Sequence, residues 1–123
     1  MGKIRVRERV EEIDGYCDVE VPLVVLGGKW KLAVLKLLLD GPLRFGEVRR
    51  GLPGVTQRML TRQLRELEED GILRRAVHAE VPPRTEYSLT PLGESLKVVI
   101  RELESWGGWY RTQCGDLEKP LSL

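Results

Sequence analysis

The sequence predicts a mainly α-helical domain carrying one small β-hairpin, and three observations lead there. Apolar residues recur at three- and four-residue spacing through most of the chain, which is the helical period. Only between residues 72 and 90 does the period change to alternation, as in a half-buried strand. Two adjacent prolines, Pro82 and Pro83, stand in the middle of that stretch, where they make a stiff loop and not part of a central ladder. At 123 residues the chain is the size of one ordinary domain, expected to span 1–123 and large enough to close a core if its helices pack well.

Each element has its own local reason. Ile4, Val6, Val10 and Ile13 recur among charges and predict an amphipathic helix over residues 3–14, stopped by Gly15, with too little apolar surface to stand alone. Asp18 can cap a short apolar helix in "VEVPLVVL" that Gly27 and Gly28 close, and Pro22 allows its start to lie a few residues later. In "KWKLAVLKLLLDG", Trp30, Ala33, Val34, Leu37 and Leu38 fall at helical spacing before a Gly41-Pro42 stop, which marks the central core helix and places Trp30 in the core. "RFGEVRRGLPG" predicts a short helix followed by a turn, and Thr56 caps a longer helix, "TQRMLTRQLRELEEDG", that runs to Gly71. The strands "ILRRAVHA" and "RTEYSLT" follow, joined by "EVPP". Thr90-Pro91 then opens the last helix, with Leu92, Leu96, Val99, Ile100 and Leu103 as its apolar stripe.

Composition excludes more than it assigns. A net charge of +1 and a pI near 7.8 give no overall nucleic-acid signal, so any basic surface has to be local. No apolar run approaches the length of a membrane span, and the charged start "MGKIRVRERVEEIDG" lacks the apolar core of a signal peptide, so a cytoplasmic location is expected. Cys17 and Cys114 are too far apart in sequence for a metal knuckle and are expected as free thiols in a reducing compartment. His78 has no acid-base constellation around it and reads as a strand residue; with no phosphate loop, metal-ligand cluster or activated serine, the sequence predicts neither an enzyme nor a cofactor.

The local charge lies around residues 44–65. Six arginines, Arg44, Arg49, Arg50, Arg58, Arg62 and Arg65, face one acid there, Glu47, a local charge of about +5 in a chain that sums to +1. On a helical wheel Leu60, Leu64 and Leu67 form a core stripe, while Arg58, Thr61, Arg62 and Arg65 cluster on the opposite side. Arginine, threonine and the nearby amide of Gln57 are side chains that reach phosphates and base edges, and the helix start at Thr56 adds free N–H groups. After Arg65 the charge reverses to Glu66, Glu68, Glu69 and Asp70; Glu68, Glu69 and Asp70 do not suit the helix dipole at that end and are expected to cancel net charge and keep the last turn away from DNA. The "GLPGV" turn between the two helices suits a steep crossing, so the pattern is that of a helix-turn-helix whose second helix enters a major groove. The hairpin is then a wing, with Arg84 beyond its proline tip placed to touch backbone or minor groove.

These residues resemble a known family. "GGKWKLAVLKLLLDGPLRFGEVRRGLPGVTQRMLTRQLRELEEDGILRR" followed by "EVPPRTEYSLTPLGESL" is similar to the HxlR-type winged helix-turn-helix transcriptional regulators, relatives of the MarR group. The likeness runs from Cys17 to about Trp109 and departs from the family where Asp18, not proline, follows the early cysteine. It implies a DNA-binding core over about 17–100 and a homodimer on a palindromic duplex site, built by flanking helices at 3–14 and 91–112. The interface implied involves Ile4, Val10, Leu96, Val99, Leu103, Trp106, Trp109 and Tyr110. Base reading is implied for residues among Gln57, Arg58, Thr61, Arg62 and Arg65, and a wing contact for Arg84. Several members resemble thiol sensors, which makes Cys17 the candidate for an oxidant or electrophile response; Asp14, Asp18 and Glu20 crowd it with negative charge, which does not favour a reactive sulfur. A small-molecule effector between the dimer helices is equally compatible with an apolar interface. The alternative is a winged helix that serves as a protein-interaction module without specific DNA binding.

Overall fold

The computed structural model describes residues 11–121, with side chains up to residue 115. Most of the helix expected at 3–14, including interface candidates Ile4 and Val10, lies outside the described residues. Residues 11 and 12 are helical, and Gly15 turns the chain with a positive φ.

Six helices and three strands follow. Helix α1 is Val21–Leu26 and α2 is Lys31–Leu38; strand β1 is Leu43–Arg44; helix α3 is Phe45–Arg50 and α4 is Gln57–Glu69. Strands β2, Leu73–His78, and β3, Arg84–Leu89, precede helices α5, Pro91–Glu94, and α6, Lys97–Leu121. The start of α1 corrects the reading in which Asp18 is its cap: Glu20 occupies the N-cap and Pro22 lies in the first turn, where its missing N–H leaves no intrahelical bond unmade.

The core forms where α2, α3, α4 and the sheet meet. Val34, Leu35 and Leu38 of α2 are buried against Leu60, Leu64 and Leu67 of α4, with Val48 of α3 beneath the turn. Each of those leucines contributes roughly 1.5–3 kcal/mol by leaving water, so the stripe on α4 fixes the helix's rotation and thereby which side faces out. Trp30 packs partly buried against this cluster, as the spacing predicts. The turn after α3 buries Leu52 and Val55 and passes through Gly54 at φ +91°, a conformation other residues rarely adopt.

The sheet is larger than a hairpin. β1 adds to the free edge of β3, giving the antiparallel order β1-β3-β2, with Leu43 opposite Tyr87 and Arg44 opposite Glu86. β2 and β3 pair from Leu73 opposite Leu89 to His78 opposite Arg84.

The last helix is also not continuous. Thr90 caps the four-residue α5, accepting the Gly93 N–H at 3.1 Å, and its hydroxyl donates to the Gly71 carbonyl at 2.6 Å, which pins the end of β3 to the end of α4. The chain breaks at Ser95 and Leu96 before α6 begins, leaving Leu92 exposed and outside the stripe predicted for it. α6 buries Ile100 in the core, and Lys36 of α2 forms an ion pair with Glu104 on the same face.

Candidate nucleic-acid interface

Helix α4 starts at an extended Thr56 whose Oγ1 accepts the Met59 N–H at 3.1 Å. With Leu60, Leu64 and Leu67 turned inward, Gln57, Arg58, Thr61, Arg62 and Arg65 come out together and line one open, shallow depression on the surface. All five belong to the residues singled out from the sequence, and they form a continuous face of donors. Two hydroxyls on this helix are already engaged locally. Thr56 serves as the cap, and Thr61 Oγ1 donates to the Gln57 carbonyl at 2.8 Å, so towards a ligand Thr61 presents acceptor lone pairs and a methyl group.

The remaining arginines group differently. Arg49 and Arg50 are exposed in the last turn of α3, where positive charge also suits the helix dipole. Arg44 caps α3, with its N–H held by Glu47 Oε1 at 2.8 Å. Because β1 joins β3, Arg44 shares a second groove with Gly46, Pro82, Pro83, Arg84 and Thr85, beside the loop of the wing. Arg84 is half-buried there, between Glu80 Oε2 at 3.6 Å and Glu86 Oε2 at 4.0 Å, and Glu86 also meets His78 Nε2 at 2.8 Å.

The acidic end of α4 has a structural role that helix-wheel reasoning missed. Glu66 sends Oε1 to Lys31 Nζ at 2.8 Å and Oε2 to Arg62 Nε at 3.3 Å. Lys31 stands at the start of α2 with its side chain only 7% exposed, and Glu66 is 23% exposed. Burial pushes the Glu66 carboxyl up, but Lys31 and then Arg62 outweigh it and hold it below the usual glutamate value. Glu68 lies 3.6 Å from Arg75 on β2, and Asp70 is buried at the C-cap. Besides any cancellation of net charge, Glu66 ties α4 to the core helix and Glu68 ties it to the wing. The Arg62–Glu66 spacing of four residues was a legible signal, whereas nothing in the sequence marked Lys31 as buried.

Cys17 and Cys114 are free, Cys17 exposed and Cys114 half-buried. Cys17 Sγ donates to Glu20 Oε1 at 3.1 Å, and that hydrogen bond, joined by one from the Cys17 N–H, lowers the Glu20 pKa. On α6, Val99, Leu103, Trp106 and Tyr110 recur at spacings of four, three and four residues and all remain exposed. Trp106 stacks on Tyr110 at a ring separation of 4.9 Å, and Trp109 lies 6.3 Å from Trp106 at a tilt. Leu96, by contrast, packs partly buried against the chain's own core. Among the described residues no three His, Cys, Asp or Glu side chains converge as a metal site would need, and no helix is long and apolar enough to cross a membrane.

Comparison with known proteins places this geometry. The family profile for HxlR-like helix-turn-helix proteins matches residues 25–114, from α1 through most of α6. The HTH-type transcriptional regulator YdeP of Bacillus subtilis (strain 168) is 50% identical over 102 residues, 83% of this chain and 80% of that protein. Among solved structures, the redox regulator HypR in its oxidised form is 51% identical, with a TM-score of 0.71 over 75% of this chain and 95% of that one. Its reduced form is 47% identical, with a TM-score of 0.77 over 81% and 99% of the two chains.

Proposed function

The chain belongs to the HxlR-like helix-turn-helix family of transcriptional regulators, and from that premise we propose that it binds duplex DNA sequence-specifically as a homodimer on a palindromic site. One observation carries the reading: the outward side of α4 collects Gln57, Arg58, Thr61, Arg62 and Arg65 in one open depression while the leucines opposite lock the helix's rotation. A face of this kind fits the major groove, where arginine pairs with guanine O6 and N7 and the N-terminal turn of the helix meets phosphate. Arg49 and Arg50 extend the positive surface along the phosphate backbone, and Arg44 with Arg84 brings the wing loop to the flanking groove.

Dimerisation is supported by the four-three-four spacing of Val99, Leu103, Trp106 and Tyr110, a seam that suits a second helix. In the dimer the two α4 helices address half-sites about one helical turn apart, ~34 Å, or a simple multiple. A thiol response at Cys17 is supported by its exposure and by the likeness to HypR, a redox regulator. Oxidation of the sulfur breaks its hydrogen bond to Glu20 and sets a polar or anionic group against that carboxylate at the cap of α1.

The test is selection from a pool of random duplexes at moderate salt, with reduced and with mildly oxidised protein. A palindromic consensus establishes the regulator, and an affinity that shifts on oxidation but not in Cys17→Ser establishes the thiol response. Salt-sensitive binding without sequence preference overturns the reading and leaves a protein-interaction module.

A further inference from the structure

Lys31, Glu66 and Arg62 form a chain of charges that runs from the core to the reading face. Both carboxylate oxygens of Glu66 are assigned, Oε1 to Lys31 at 2.8 Å and Oε2 to Arg62 Nε at 3.3 Å. Lys31 is a poor place for a bare cation, being buried and at the positive end of α2, so Glu66 is held on it and its own position is fixed. Arg62 is different: its side chain is 75% exposed, and a long arginine side chain in that position normally samples many rotamers.

We propose that Glu66 is a positioning residue for DNA recognition, anchored by Lys31 and acting through Arg62. A guanidinium held through Nε, as here by Glu66, is restricted in its plane and keeps its two terminal nitrogens as the edge that can pair with guanine O6 and N7. Among the described residues Arg58 and Arg65, on the same face, have no comparable tether, and they serve as charges that follow the phosphates. The three arginines of α4 thus divide into one reader and two backbone contacts, and base preference at one position of each half-site depends on a carboxylate that touches no DNA. The inference rests on the DNA-binding reading above.

The test compares base preference, position by position, for the unaltered protein, for Arg62→Ala, for Arg62→Lys and for the double variant Lys31→Met with Glu66→Met, whose thioether gives Arg62 no comparable acceptor. The double variant removes the buried cation together with its partner, so it does not strand a charge in the core, and a thermal melt confirms that it is folded. Arg62→Lys sits at an exposed position and keeps the charge while losing the Nε group and the planar fork. A bidentate arginine–guanine pair discriminates by roughly tenfold or more. The expected result is that all three variants lose that discrimination at the same base pair, and that adding Arg62→Ala to the double variant removes nothing further. The salt dependence of Arg62→Lys stays as in the unaltered protein, because phosphate neutralisation counts charge alone. Full preference in the folded double variant, or in Arg62→Lys, overturns the positioning role while leaving the regulator intact. An unaltered protein with no preference at any position overturns the DNA reading itself, and this inference with it.

Discussion

From Gln57 to Arg65, α4 turns its cations towards solvent; from Glu66 onward it turns its carboxylates onto the body of the protein. The basic half has three arginines on an open face, with one tethered through Nε. The acidic half reaches a core lysine through Glu66 and a wing arginine through Glu68, and ends in the buried Asp70. Charge on a helix can therefore be sorted by role along its length. The half proposed to meet DNA keeps its arginines at the surface, and the half that meets the core carries the ties to Lys31 and Arg75. The same sorting explains how a chain with net charge +1 keeps a concentrated positive face.

That contrast can be broken from beneath, where the effect is largest. Leu64→Ala, at a site 1% exposed, is expected to destabilise the protein by roughly 2–5 kcal/mol in chemical unfolding, because both halves of α4 depend on the same leucine stripe. Next comes the acidic half. Glu66→Ala leaves Lys31 buried without its partner and is expected to cost about 2–3 kcal/mol, less than a fully enclosed pair because Glu66 keeps some solvent contact. Lys31→Met in the same chain is expected to recover much of that loss. The basic half behaves in the opposite way: Arg58→Ala or Arg65→Ala is expected to change stability by less than about 0.5 kcal/mol, since both residues are exposed. Each is expected instead to reduce the slope of log affinity against log salt by about 1.

The smallest effect is on pH dependence. Glu66 has a lowered pKa in the folded protein, so it adds stability above the usual glutamate range, and that contribution disappears as the pH falls from there through its folded value. Melting temperatures of the unaltered protein and of Glu66→Gln are expected to converge on acidification. A constant gap between them means that the pair does not titrate as described.

The contrast also marks what was legible in the sequence. The leucine stripe, the opposed arginines, the capped start at Thr56 and the proline-tipped wing all follow from local periods and from residues with fixed backbone habits, and the fold carries each of them. β1 escaped because two residues cannot display an alternating period, and its pairing with β3 is settled by a partner more than forty positions away. The break at Ser95 and Leu96 escaped because an apolar stripe continues across it at helical spacing, while the Thr90 cap closes only a single turn. The Lys31–Glu66 pair escaped for a similar reason: a lysine's burial depends on which elements fold over it, and nothing in its own neighbourhood signals it. On the candidate interface, composition found the donors, but only the folded chain shows that the hydroxyls of Thr56 and Thr61 are engaged within the helix and that Arg84 lies between two carboxylates.

The outward face of α4 is proposed to read DNA sequence. The most direct test of this is the affinity of the unaltered protein and of Arg58→Ala/Arg62→Ala/Arg65→Ala for a selected duplex and for a scrambled one, measured across a series of salt concentrations. A face that reads sequence gives a strong preference for the selected duplex, its disappearance in the triple variant, and a salt slope shallower by about 2–3 in a protein that melts at an unchanged temperature. Equal affinity for both duplexes in the unaltered protein, or full preference in a folded triple variant, contradicts it.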